Sequence, residues 1–246
     1  MADQSPDPAA DFDAQVTGIA ALGEPLRRAL YRYVVAQDGR VNRDQAAAGV
    51  GVARHVAKFH LDKLVQDGLL EVEYDRPSGR GGPGAGRPAK FYRRSARQLA
   101  VSLPPREYEL AGRLLAQAIA TSERDQTPIG VALDDSARNM GRVLGQRARR
   151  QAGAKPSRTR QMAAATSVLT EYGFEPHPVP GGMALANCPF HRLARDYTEL
   201  ICGMNLQLLA GIMESLQDPG LEARLEPAPG RCCVRLARSS STGRDR

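Results

Sequence analysis

Apolar side chains recur at intervals of three and four in several separate stretches of the chain, the signature of amphipathic helices. Leu26, Ala29, Leu30, Tyr33 and Val34 predict a first helix ending near Gln37-Asp38-Gly39. Asn42 followed by Gln45 is a capping-box variant that opens a short helix over Arg43 to Ala48. Gly49-Val50-Gly51 then predicts a tight turn. A second helix is expected from Val52 to Asp67, with Val52, Val56, Phe59, Leu61, Leu64 and Val65 as its apolar positions and Gly68 as its stop. Leu69 to Tyr74 and Lys90 to Arg93 have the pattern of strands, and residues 76–90 between them are rich in glycine, proline and arginine. Two helices across a glycine turn, followed by a hairpin, form the outline of a winged helix-turn-helix.

Pro104-Pro105 punctuates the chain and predicts a helix start. Glu107 to Thr121 follows as an amphipathic helix, with Leu110, Leu114, Ala118 and Thr121 on one face; it is a candidate dimer-forming element, with packing inside its own subunit as the alternative. A basic helix is expected over Leu133 to Gln151, and another over Gln161 to Tyr172, stopped by Gly173. The period then changes. Phe174 to Val179 and Met183 to Asn187 flank Pro180-Gly181-Gly182, and Leu221 to Glu226 and Cys232 to Ala237 flank Pro227-Ala228-Pro229-Gly230. Both are hairpin signals, separated by a helical stretch reaching Leu216. The expected fold class is α+β. It comprises a disordered leader (1–15), a winged-helix domain (16–98), a helical linker and dimerisation region (99–160), an α+β sensor domain with two hairpins (161–238) and a disordered tail (239–246).

Composition adds a partner. The 246 residues carry a formal charge of +7, and from Arg76 to Arg106 there are eight basic residues and no acidic one. A cationic hairpin beside an amphipathic helix suits double-stranded DNA, with arginines on phosphates or in the minor groove. Arg54, His55 and Lys58 lie opposite the apolar stripe of the second helix, together with Asp62; Arg54 and Lys58 are neighbours at a spacing of four. Arg43, Arg80, Arg87 and Lys90 complete the expected DNA contacts. An enzyme is not indicated: the glycine-rich segment 79–86 lacks the Gly-Lys-Ser/Thr ending of a phosphate loop. No stretch approaches the ~20 apolar residues of a membrane span, and Met1 to Asp13 lacks the features of a secretory signal, so the expected location is cytoplasmic.

The segment Ala-Arg-His-Val-Ala-Lys-Phe-His-Leu-Asp-Lys-Leu-Val-Gln-Asp-Gly-Leu-Leu-Glu-Val (53–72), with Gly-Arg-Pro-Ala-Lys-Phe-Tyr (86–92), resembles the winged-helix domain of bacterial ArsR/DeoR-like regulators. That resemblance implies a homodimer on a palindromic operator.

The four cysteines, 188, 202, 232 and 233, all fall in the last quarter of the chain. In a cytosolic chain this clustering favours metal or redox chemistry over structural disulfides. Cys188, just before Pro189, is expected near a helix N-cap, which favours its thiolate. One continuous helix would hold Cys188 and Cys202 about 21 Å apart. A break at Asp196-Tyr197-Thr198, with Thr198 capping the second helix, is therefore expected if the two are to meet. Neighbouring strand residues face opposite ways, so one of Cys232 and Cys233 is expected at the site and the other in the core. Asn-Cys-Pro-Phe-His (187–191), Leu-Ile-Cys-Gly-Met-Asn (200–205) and Pro-Gly-Arg-Cys-Cys-Val-Arg-Leu (229–236) are similar to the C-terminal half of SufR-type iron–sulfur-sensing repressors. The resemblance implies Cys188, Cys202 and Cys232 (or Cys233) as cluster ligands, with His191, a small thiol or water in the fourth position. Zinc, a thiol redox pair, a small-molecule effector or plain buried cysteines are the alternatives.

Overall fold

A computed structural model describes residues 8–75, 88–216 and 220–239. The chain divides into two compact units, Met1–Val101 and Ser102–Arg246.

The first unit opens with α1 (Pro8–Ala21) and α2 (Pro25–Val35). The helical start at Pro8 corrects the expectation of a leader through residue 15. Ala21 is buried, and the Ala100 backbone N–H donates to Gln15 Oε1 (2.9 Å), which carries the unit past residue 98. Glu24 caps α2, accepting from the backbone of Leu26 and Arg27. The short strand β1 (Val41–Asn42) leads into α3 (Arg43–Val50), where Asn42 and Gln45 form the expected reciprocal capping box. Gly51, at φ +72°, turns the chain towards α4 (Arg54–Gln66). Strands β2 (Leu70–Asp75) and β3 (Ala89–Arg94) complete an antiparallel sheet of order β1-β3-β2. Tyr92 pairs with Val41 on one side and Val72 on the other. The core gathers Leu30, Val34, Ala46, Ala57, Leu61, Leu64, Leu70 and Tyr92.

The second unit begins with α5 (Tyr108–Asp125), α6 (Ile129–Ala152) and α7 (Arg158–Glu171), the last capped by Ser157. Hairpin β4 (Pro176–Val179) and β5 (Gly182–Leu185) precedes α8 (His191–Asp196) and α9 (Thr198–Glu214). Strands β6 (Leu221–Leu225) and β7 (Val234–Arg238) close an antiparallel sheet of order β4-β5-β7-β6. The expected break falls at Tyr197, which ends α8 and caps α9. The Thr198 hydroxyl, expected to cap α9, instead donates back to the Ala194 carbonyl (2.8 Å).

One core spans this unit, uniting Leu114 of α5, Leu133 of α6, Val168 of α7, Ile201 of α9 and Leu236 of β7. The helices expected to form a separate linker thus belong to the same unit as the hairpins. Leu110, Leu114 and Ala118 of α5 are buried in this core, so this face packs within its own subunit. An amphipathic stripe shows that a helix has a covered side; it does not identify the cover.

Helices α6 and α9 run in the same direction and touch through backbone. A Cβ on Gly141 would stand 2.0 Å from the Leu208 carbonyl oxygen, one on Gly145 2.5 Å from that of Ile212, and one on Gly211 2.2 Å from that of Arg138. Gly112 of α5, in contrast, faces open space. Gly141→Ala is therefore expected to destabilise the protein by about 1–3 kcal/mol through overpacking. Gly112→Ala should stabilise it by about 0.5–1 kcal/mol. Thermal unfolding of the two variants, followed by circular dichroism, checks this opposition of sign.

Candidate nucleic-acid interface and sulfur site

Helix α4 buries Ala57, Leu61 and Leu64 and turns Arg54, His55, Lys58 and Phe59 outward. Arg54 Nε lies 2.6 Å from Asp44 of α3, so the two helices of the motif are linked on their exposed side. Lys58 Nζ lies 3.1 Å from Asp62 one turn on. Lys90, from β3, donates to the other oxygen of the same carboxylate, and Tyr92 Oη donates to it at 2.9 Å. Asp62 thus joins the outward face of α4 to the wing strand. Burial raises its pKa, but hydrogen bonds from Lys90, Tyr92 and Lys58 outweigh that effect and hold it below the usual carboxylate range. The stability it confers is complete above the ordinary range and is lost as pH falls through the lowered value. The Tyr92 hydroxyl, desolvated and bonded to this anion, has its pKa pushed up, so it stays a donor.

Of the expected DNA contacts, Arg54, His55, Lys58 and Lys90 share this region. Arg43 opens α3 and is half-buried. Arg80 and Arg87 lie outside the described residues. Two features depart from the expectation. Three of the cations already have carboxylate partners. Phe59, expected among the apolar packing positions, is 65% exposed. Two residues past Ala57, it sits about 200° round the helix from the buried stripe. Exact angular bookkeeping in the sequence reveals this; counting apolar residues does not.

In the second unit all four cysteines come to one corner. Cys202 of α9 is disulfide-bonded to Cys233, with their Cα atoms 6.5 Å apart. The bond joins two of the four cysteines expected to serve metal or redox chemistry. Cys188 and Cys232 are free and buried. The expected trio is therefore divided: Cys188 and Cys232 form one pair, Cys202 and Cys233 the other. The Cys232 thiol donates to the Cys188 sulfur, which also receives the Phe190 backbone N–H; these outweigh burial and lower the Cys188 pKa. The same contact and burial push the Cys232 thiol up.

The corner is firmly anchored. Buried Asn187 donates to the carbonyls of Pro105 and Gly173 and accepts from Arg106, which also donates to the Cys188 carbonyl (3.1 Å). The Cys232 N–H donates to the Leu185 carbonyl (2.8 Å). Asn205, one turn after Cys202, is 1% exposed; its amide nitrogen donates to Cys232 Sγ (3.2 Å), while its oxygen has no hydrogen-bond partner among the described residues. Neither Asn205 nor Arg106 carries an individual signal in the sequence. His191, expected as a fourth ligand, starts α8 and is exposed. Among the described residues, no three His, Cys, Asp or Glu side chains form a ready metal site.

A helix-turn-helix domain family matches residues 22–73, which include α2, α3, α4 and most of β2. That match points to a DNA-binding regulator. No curated protein matches the chain. Among solved structures, human N-acetylserotonin methyltransferase in complex with SAM aligns at 19% identity, covering 70% of this chain and 59% of that chain, with a TM-score of 0.23. The chain therefore spans under two thirds of that protein, and so low a score carries no argument. Among the described residues, no helix is long and apolar enough to cross a membrane.

Replacing Asp62 releases two lysines on the α4 face. Asp62→Asn is expected to raise affinity for duplex DNA of any sequence. It should also steepen the dependence of log K on log salt by roughly one for each phosphate newly neutralised. Fluorescence anisotropy over a salt series measures both; an unchanged slope would show that neither lysine meets phosphate.

Proposed function

We propose that this protein is a dimeric DNA-binding transcriptional regulator whose sulfur corner receives the signal. Helix α4 enters the major groove, and the segment joining β2 to β3 grips the backbone. In a symmetric dimer two such helices address half-sites about 34 Å apart. The reading rests on one observation: four cysteines spread over 46 residues of sequence fall into two adjoining pairs, Cys202–Cys233 and Cys188–Cys232, in a chain that also carries a helix-turn-helix. Buried thiols have no role in gripping DNA, and their convergence fits a sensor.

The proposed effector is an iron–sulfur cluster. The donor chemistry fits after one reduction. A dithiol reductant gives two electrons and two protons to Cys202 and Cys233 and leaves as its own disulfide. Four thiols then share the corner, the donor type that clusters require. Cys188, Cys202 and Cys232 would hold the cluster, with neighbouring Cys233 better placed than exposed His191 for the fourth position. When bound, the cluster supplies an oxidant-labile link between α9, the Cys188 loop and the entry to β7. Asn205 would donate a hydrogen bond to a ligand sulfur, and Arg106 would hold the Cys188 loop. The disulfide itself favours a second reading, in which Cys202 and Cys233 act as a metal-free thiol switch; zinc on the reduced thiols is the third.

Purification under anaerobic, reducing conditions, followed by iron, sulfide and zinc analysis, separates these readings. Iron and sulfide in equal amounts, with visible absorption lost in Cys188→Ser, are expected. The same variant should abolish any dependence of DNA affinity on cluster loading. Zinc without sulfide would replace the cluster by zinc. Metal-free protein whose DNA affinity changes only on reduction would leave the thiol switch.

A further inference from the structure

We propose that Phe59 reads the 5-methyl group of thymine in the major groove, making it a determinant of sequence preference. This rests on the reading of α4 as the groove-entering helix. The other large apolar side chains that α4 turns inward, Leu61 and Leu64, are fully buried, whereas Phe59 is 65% exposed. Its ring stands edge-to-face with that of the neighbouring His60, with centroids 5.2 Å apart. An aromatic ring left in water forgoes a large burial energy, which a partner seated on this face would recover.

The surroundings indicate what that partner is. Arg54, His55 and Lys58 share the outward face, and Lys90 approaches it from β3. Asp44 and Asp62 are the carboxylates paired with these cations, and basic groups outnumber them. A partner with an anionic frame and a small apolar group recessed between its charges is complementary to such a face. Duplex DNA provides it: the thymine methyl is the apolar feature that distinguishes base pairs in the major groove, and phenylalanine is among the side chains that contact it. Arg54 and Lys58 already hold carboxylates, so Phe59 can discriminate between bases without a hydrogen bond being exchanged.

The test uses the full-length protein and a duplex selected by it from a random-sequence pool. Each dT of that duplex is replaced in turn by dU, which removes one methyl group and nothing else. Wild type is expected to bind about fourfold more weakly at one or two positions per half-site, the value of one buried methyl group. Phe59→Ala should bring the dT/dU ratio at those positions to about one, and Phe59→Leu should retain most of it. Circular dichroism verifies that the variants fold, which the exposed site favours. The inference is overturned if wild type binds dT and dU duplexes alike at every position, or if Phe59→Ala keeps the wild-type ratio. It is likewise overturned if Phe59→Ala changes the oligomeric state seen by light scattering but not the ratio, which would assign the ring to a protein contact. Failure to select any duplex would instead remove the DNA-binding reading itself, and this inference with it.

Discussion

One carboxylate, Asp62, determines how the outward helix and the wing strand share a surface. It accepts from Tyr92, whose ring is buried in the middle of the three-stranded sheet between Val41 and Val72. The contact therefore runs from the domain core to the exposed face through one side chain. Rotating α4 by a single residue, about 100°, would withdraw the carboxylate from this hydroxyl. A buried hydroxyl left unpaired costs about 1–3 kcal/mol. The direction in which Arg54, His55, Lys58 and Phe59 point is set by that hydrogen bond as much as by the packing of Leu61 and Leu64 beneath them.

The same carboxylate gives the face an unusual electrostatic character. Lys58 and Lys90 converge on it from two different elements, and Arg54 is held by Asp44. Long cationic side chains that would otherwise sample many rotamers are kept extended across the surface. The cost is competition, since a phosphate must displace an existing partner. Exposed ion pairs are worth little, so the exchange is nearly balanced and leaves discrimination to the groups without a partner.

Short-range signals specify short-range structure. Asn42 with Gln45 announced a capping box, Gly51 and Gly68 marked the helix ends, and the two Pro-Gly turns marked the hairpins, because each is fixed by a few neighbouring residues. What remained hidden depends on distant partners. The pairing of Cys202 with Cys233 rather than Cys232 follows from the register at which the chain enters β7, which no interval between cysteines encodes. The burial of α5 depends on α6 lying beside it. Phe59 was obscured differently: its hydrophobicity matched the expected stripe while its angle round the helix did not. Of the sulfur site, the four cysteines and the break at Tyr197 were legible; Asn205 and Arg106 became visible only when three segments met.

Helix α9 carries both Cys202 and Asn205 and, two turns later, the contact with α6. At Gly141 the geometry places the glycine Cα no farther than about 3.5 Å from the Leu208 oxygen, within the range of a weak Cα–H···O bond. Main-chain carbonyls that already serve their own helix thus also bridge to its neighbour. The two rods meet through peptide groups as well as through the side-chain bonds of Arg138 with Gln207 and Glu214, so backbone spacing helps to set their relative slide.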